Sequence, residues 1–129
     1  MALLVPSVGE AQMLALILAG NTSLRLFQNN HTPVEGDDDT DYTVATFTGY
    51  ANATLTGGSW SITTGDPSFA TYAQQTFAST ANQSAQTIYG YYVVHVASGV
   101  LLWAELFSSP VVIANDGDSI KVTPRFELA

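Results

Sequence analysis

The 129-residue chain reads as an all-β protein: an antiparallel β-sandwich preceded by one short N-terminal α-helix. Three observations predict this. Short runs rich in Thr, Val and aromatics recur about every ten residues between Gly-containing turn signals, the spacing of sandwiches and barrels. The most apolar stretch, YGYYVVHVASGVLLWAELF from Tyr89 to Phe107, is divided near its middle by Ser98-Gly99. Helical periodicity is confined to the residues before Gly20.

Taken in chain order, residues 1–6 form an arm, 7–20 a helix and 24–129 the strands and loops of one domain. Ser7 followed by Glu10 is a capping-box pattern, and Gly20-Asn21 is a stop signal, so Val8 to Ala19 should be helical. Ala11, Leu14 and Leu18 share one stripe, and Met13, Leu16 and Ile17 widen it until little polar surface remains beyond Glu10 and Gln12. The run AQMLALILA resembles the apolar region of a signal peptide. However, no Lys or Arg precedes Arg25, and Glu10 stands where positive charge belongs, so a folded helix is the better reading.

Strands are expected at Leu24–Phe27, Tyr42–Tyr50, Ala53–Leu55, Trp60–Thr63, around Phe69, Tyr72 and Phe77, and at Val111–Ile113 and Ser119–Val122. Gly57-Gly58 and Asp116-Gly117 read as tight turns. Ser98-Gly99 makes 89–107 a hairpin, because a helix is penalised by an interior Gly. Pairing Ala97 with Val100 puts Tyr91, Val93, His95, Val100, Leu102, Ala104 and Leu106 on one face. Tyr92, Val94, Val96, Leu101, Trp103, Glu105 and Phe107 then share the other. Both faces are apolar, so each needs cover: a second sheet on one side, and the helix or another subunit on the other. A membrane helix is a poor reading of this stretch, because Gly90, His95, Gly99 and Glu105 interrupt it.

Composition narrows function by exclusion. Three basic against eleven acidic residues give a net charge of −8, which opposes binding to phosphate backbones and anionic membranes. Only 11% of residues are charged, against about 25% in an ordinary soluble domain. Hydroxyls, amides or other chains must therefore cover the surface. With no Cys there is no disulfide, thiolate metal site or Cys nucleophile. His95 sits between Val residues and reads as a structural or subunit-contact histidine; His31 lies in a loop. GGSWS at Gly57–Ser61 lacks the final Gly of a nucleophile elbow and its strand-turn-helix setting. The acidic run Glu35–Asp41 is out of register for an EF-hand and reads as a solvated, self-repelling loop. Asn115–Asp118 is explained as a turn, and the Asn-x-Ser/Thr sequons at Asn21, Asn30, Asn52 and Asn82 as chance matches. No enzyme, cofactor or metal is expected.

The layout MALLVPSVGE, LRLFQNNHTPVEGDD, YGYYVVHVASGVLLWAELF and DGDSIKVTPRFEL resembles the jelly-roll cement (decoration) proteins of tailed-bacteriophage capsids. The resemblance covers most of the chain through general layout and carries no functional residue onto a position. It implies a jelly-roll-like sandwich made in the host cytoplasm. It also implies a homotrimer on the capsid surface, bound across subunits of the major capsid protein. The expected subunit or capsid interface comprises Leu3, Leu4 and Val5 of the arm, Met13, Leu16 and Ile17 of the helix, and Tyr92, His95 and Trp103 of the hairpin. The alternative is a carbohydrate- or receptor-binding sandwich from a phage tail or a secreted bacterial protein, which requires aromatics lined up on an exposed face.

Overall fold

The computed structural model describes residues 2–128 and places one helix, α1 (Ser7–Ile17), ahead of nine strands among them. The first five strands are β1 (Thr22–Phe27), β2 (Ala53–Leu55), β3 (Ser61–Thr63), β4 (Ser68–Thr71) and β5 (Gln75–Ala78). The last four are β6 (Gln86–His95), β7 (Leu101–Ile113), β8 (Ser119–Val122) and β9 (Arg125–Leu128). All pairings are antiparallel, in sheets ordered β2-β1-β6-β7, β3-β4-β9 and β5-β8. No helix among the described residues is long and apolar enough to cross a membrane.

The three sheets share one core, which makes the molecule a sandwich. Leu24 and Leu26 of β1 lie opposite Val93 and Tyr91 of β6, and this face packs against Ala70, Phe77, Ile120 and Val122 from the two smaller sheets. Side-chain alternation sends Phe27, Tyr92 and Val94 to the opposite face. Both turns expected to close hairpins are instead corners between sheets. Gly57-Gly58 leads from β2 to β3, and Asn115–Asp118 from β7 to β8, where Asp118 accepts the N–H groups of Ala114 and Asn115. Both hydrogen bonds hold the Asp118 carboxyl below its ordinary pKa.

The helix forms as read, but its expected cap does not. Pro6 is the N-cap, and Ser7 already belongs to the first turn. The Glu10 carboxylate is drawn away from the helix end by tertiary structure: it accepts the N–H of Ser68 on β4 at 3.0 Å, and Ser68 Oγ donates to the Ser7 carbonyl at 2.8 Å. This ties the helix to the β3-β4-β9 sheet, and Leu14 and Leu18 complete the contact from the same stripe. At the other end, Gly58 N–H donates to the Leu18 carbonyl. A side chain at Gly57 would collide with the Ala19 carbonyl, so this close approach requires glycine.

The stretch 89–107 is two antiparallel strands, but three details differ from expectation. Its loop spans four residues, Val96–Gly99, closed by a His95 N–H to Val100 carbonyl bond, with Gly99 at φ 73°. The register is shifted, so that Tyr91 lies opposite Glu105 and Val93 opposite Trp103. Irregularities at Val93/Val94 and Ile88/Gly90 move half of β7 to the other face, and a period-two pattern carries no mark of an inserted residue. Trp103 and Phe107 consequently join the main core. Strand β7 also runs unbroken through Pro110 to Ile113, which it can do as the edge of its sheet.

The second face of the hairpin is covered by the chain's own 28–44 segment, not by the helix or another subunit. Tyr42 stacks on Tyr92 at 5.0 Å and meets Phe27 edge-on at 5.0 Å. The expected strand at Tyr42–Tyr50 is therefore an irregular segment with a single bridge to β1, Phe27 to Val44. Further along it, Thr46 and Phe47 donate their N–H groups to Gln86 Oε1, and Thr48 donates to Gln83 Oε1 at 2.7 Å. Glutamine amides replace the strand neighbour that these backbone donors would otherwise need. Strand β9, which the sequence did not suggest, fills the edge beside β4, with Phe126 stacked on Trp103 at 4.4 Å.

Candidate interaction surface

The arm and the outer side of α1 form the most exposed apolar region. Leu3 and Leu4 are 93% and 84% exposed, and Val8 and Leu16 are 70% and 67% exposed; Met13 lies nearby, half-covered. The cause is local. The helix is apolar around most of its circumference, yet the domain buries only the Glu10-Leu14-Leu18 stripe, with Ile17 partly covered, and leaves Val8, Met13 and Leu16 in solvent. Beneath the arm lies a groove of about 440 Å³. Its walls are Leu3, Leu4, Val5, Met13 and Leu128, and Glu10 and Asp66 also line it.

Of the nine residues expected at an interface, Leu3, Leu4, Val5 and Met13 are thus brought together, with Leu16 exposed on the same helix. Ile17 turns inward against the core. Tyr92 is 2% exposed beneath Tyr42 and closed to a neighbour, whereas Trp103 is packed between Phe126 and Trp60 and only partly covered. His95 closes its own loop: Nδ1 lies 2.8 Å from Ser98 Oγ and also accepts the Ser98 N–H, while the ring rests on Gly20. The hairpin contributes other exposed groups, Val96 and Val100 at its tip. Val8, Leu128, Glu10 and Asp66 are members of this surface that sequence reading missed. Glu10 was taken for a helix cap, and Asp66, distant in the chain, carried no signal.

The acidic segment is ordered by its own hydrogen bonds rather than extended by repulsion. Asp37 Oδ2 lies 2.8 Å from His31 Nε2 and accepts from Tyr42 Oη at 2.7 Å and Val34 N–H at 3.0 Å. These partners, led by the Val34 N–H, hold the Asp37 carboxyl below its ordinary value. Burial, then the bond to Asp37, pushes the Tyr42 hydroxyl up. Asp38 accepts the Thr40 N–H and hydroxyl, which lowers its pKa, and caps the 3-10 turn Asp39–Asp41. Among the described residues, no three His, Cys, Asp or Glu side chains converge as metal ligands would. No hydroxyl in a hydrogen bond with either imidazole is backed by the acid that a catalytic triad requires.

No family model, curated protein or solved structure matches this chain.

Proposed function

We propose that this chain acts by binding rather than catalysis, as a capsid cement protein that joins copies of itself and subunits of a phage shell through its N-terminal arm and helix. One observation carries the reading: Leu3, Leu4, Val8 and Leu16 stand in solvent although the domain behind them is already packed. Exposed apolar side chains that no core requires are the usual mark of a docking surface. Adding a second body would remove them from water at about 25 cal/mol per Å² of apolar area, so each contact is modest. Repetition over a shell of many copies multiplies it.

The position of the aromatics favours this over a glycan-binding sandwich. None of the fourteen Phe, Trp and Tyr side chains, all among the described residues, is exposed. A sugar platform needs rings in the open, whereas here they stack on each other.

The test is co-sedimentation of the full chain with capsid shells assembled without it. Binding is expected for the wild type and should be lost on the double substitution Leu3→Ser, Leu4→Ser, which touches no buried side chain. Absence of wild-type binding, or binding indifferent to the double substitution, would overturn the proposal.

A further inference from the structure

The groove beneath the arm holds a group that a purely apolar contact does not explain. Glu10 is 8% exposed, and only one of its carboxylate oxygens is engaged, by the Ser68 N–H at 3.0 Å. The other oxygen has no hydrogen-bond partner among the described residues, and the side chain lines the groove. That oxygen is not sealed from solvent, so a group entering the groove can reach it. Asp66 adds a second acid at the same groove. None of the three Lys and Arg side chains lines it. Arg125, on the nearby β9, points away from the face that carries Leu128, towards Glu127 and the Phe69 ring.

We propose that this groove receives a Lys or Arg side chain flanked by apolar residues, presented by a protein other than this one. The walls supply cover for the flanking apolar groups and the stem, and the free Glu10 oxygen and Asp66 meet the cationic head. Among the described residues, no Lys or Arg of a second copy is presented between accessible apolar neighbours in this way. Arg25 is bonded to Ser23 and lies over the Tyr92 ring, and Arg125 is occupied as described. Lys121 is flanked by Ile120 and Val122, both buried. The inference rests on reading the arm and helix as a docking surface, and it assigns the heterologous contact to the groove, leaving the outer helix face for like copies.

The test is an NMR titration of the full isotope-labelled chain with acetyl-Leu-Lys-Leu-amide and acetyl-Leu-Gln-Leu-amide. Amide shifts should cluster at Glu10, Met13, Asp66 and Leu128, with the Lys peptide binding about ten-fold tighter, the difference between a charge-assisted and a neutral hydrogen bond. Glu10→Gln keeps an acceptor for Ser68 and should shrink that preference to within about two-fold, leaving only the weak pull of exposed Asp66. Asp66→Asn is exposed and leaves the fold alone; it should reduce the preference in part. Equal binding of the two peptides, shifts outside the groove, or a preference that survives both substitutions would overturn the inference. A groove selective for Lys on a chain that ignores shells would sink the capsid reading alone. Shell binding with an indifferent groove would sink this inference alone.

Discussion

Replacing Tyr42 by Ala uncovers the second face of the hairpin, and its cost follows from what the ring touches. Tyr42 stacks on Tyr92, meets Phe27 edge-on, and donates to Asp37 at 2.7 Å. Deleting a buried aromatic ring costs about 3–5 kcal/mol, and part of this is the loss of two ring pairs worth about 0.5–1.5 kcal/mol each. Tyr42→Phe keeps the rings and removes one acceptor contact from Asp37, which retains His31 and Val34; the expected cost is about 1 kcal/mol. Urea unfolding followed by the fluorescence of Trp60 and Trp103, which sit in the other core, measures both variants by a probe remote from the mutation. Tyr42→Ala should lower the midpoint by several times the Tyr42→Phe shift, with an unchanged slope if the transition stays two-state. Equal small losses for the two variants would refute the claim that this ring seals the hairpin.

Leu14→Ala should cost about 2–5 kcal/mol by emptying a fully buried site, while Leu16→Gln two residues on, on the outer side, should stay within about 0.5 kcal/mol; thermal unfolding of the two separates the inner and outer sides of the helix. Gly90→Ala should cost about 3 kcal/mol, the upper end for overpacking, because a Cβ there would meet the Glu105 carbonyl and the Phe27 ring; denaturant unfolding measures it. The Asp37 carboxyl has a folded pKa below its ordinary 3.8, so its stabilisation is present above that pH and is lost as pH falls through the lowered folded value. Asp37→Asn should therefore flatten the acid limb of a stability-versus-pH curve followed by urea unfolding between acid and neutral pH.

How much of this was legible in the sequence varied with how local its cause is. The helix, β1, the hairpin and the strands around Phe77 and Ile120 follow from period and punctuation, which act within a few residues. What failed was decided at a distance. Tyr42–Tyr50 has strand composition, but its donors are met by Gln83 and Gln86, some forty positions on, which no local pattern announces. The cap at Glu10 is overridden by Ser68, which is 58 residues away. A bulge leaves alternation intact on each side while changing which residues share a face, so Trp103 and Tyr92 were placed together and lie apart. The exposed apolar surface of the arm and outer helix was readable because its cause, a short helix with apolar residues around most of its circumference, is local.

The solution mass of the intact chain, measured by light scattering behind size exclusion, tests most directly whether the arm and helix exist to be covered. Particles of three 13.7 kDa chains that fall apart on Val8→Ser, Leu16→Ser are expected. A single 13.7 kDa chain at every concentration, unchanged by that substitution, would contradict it.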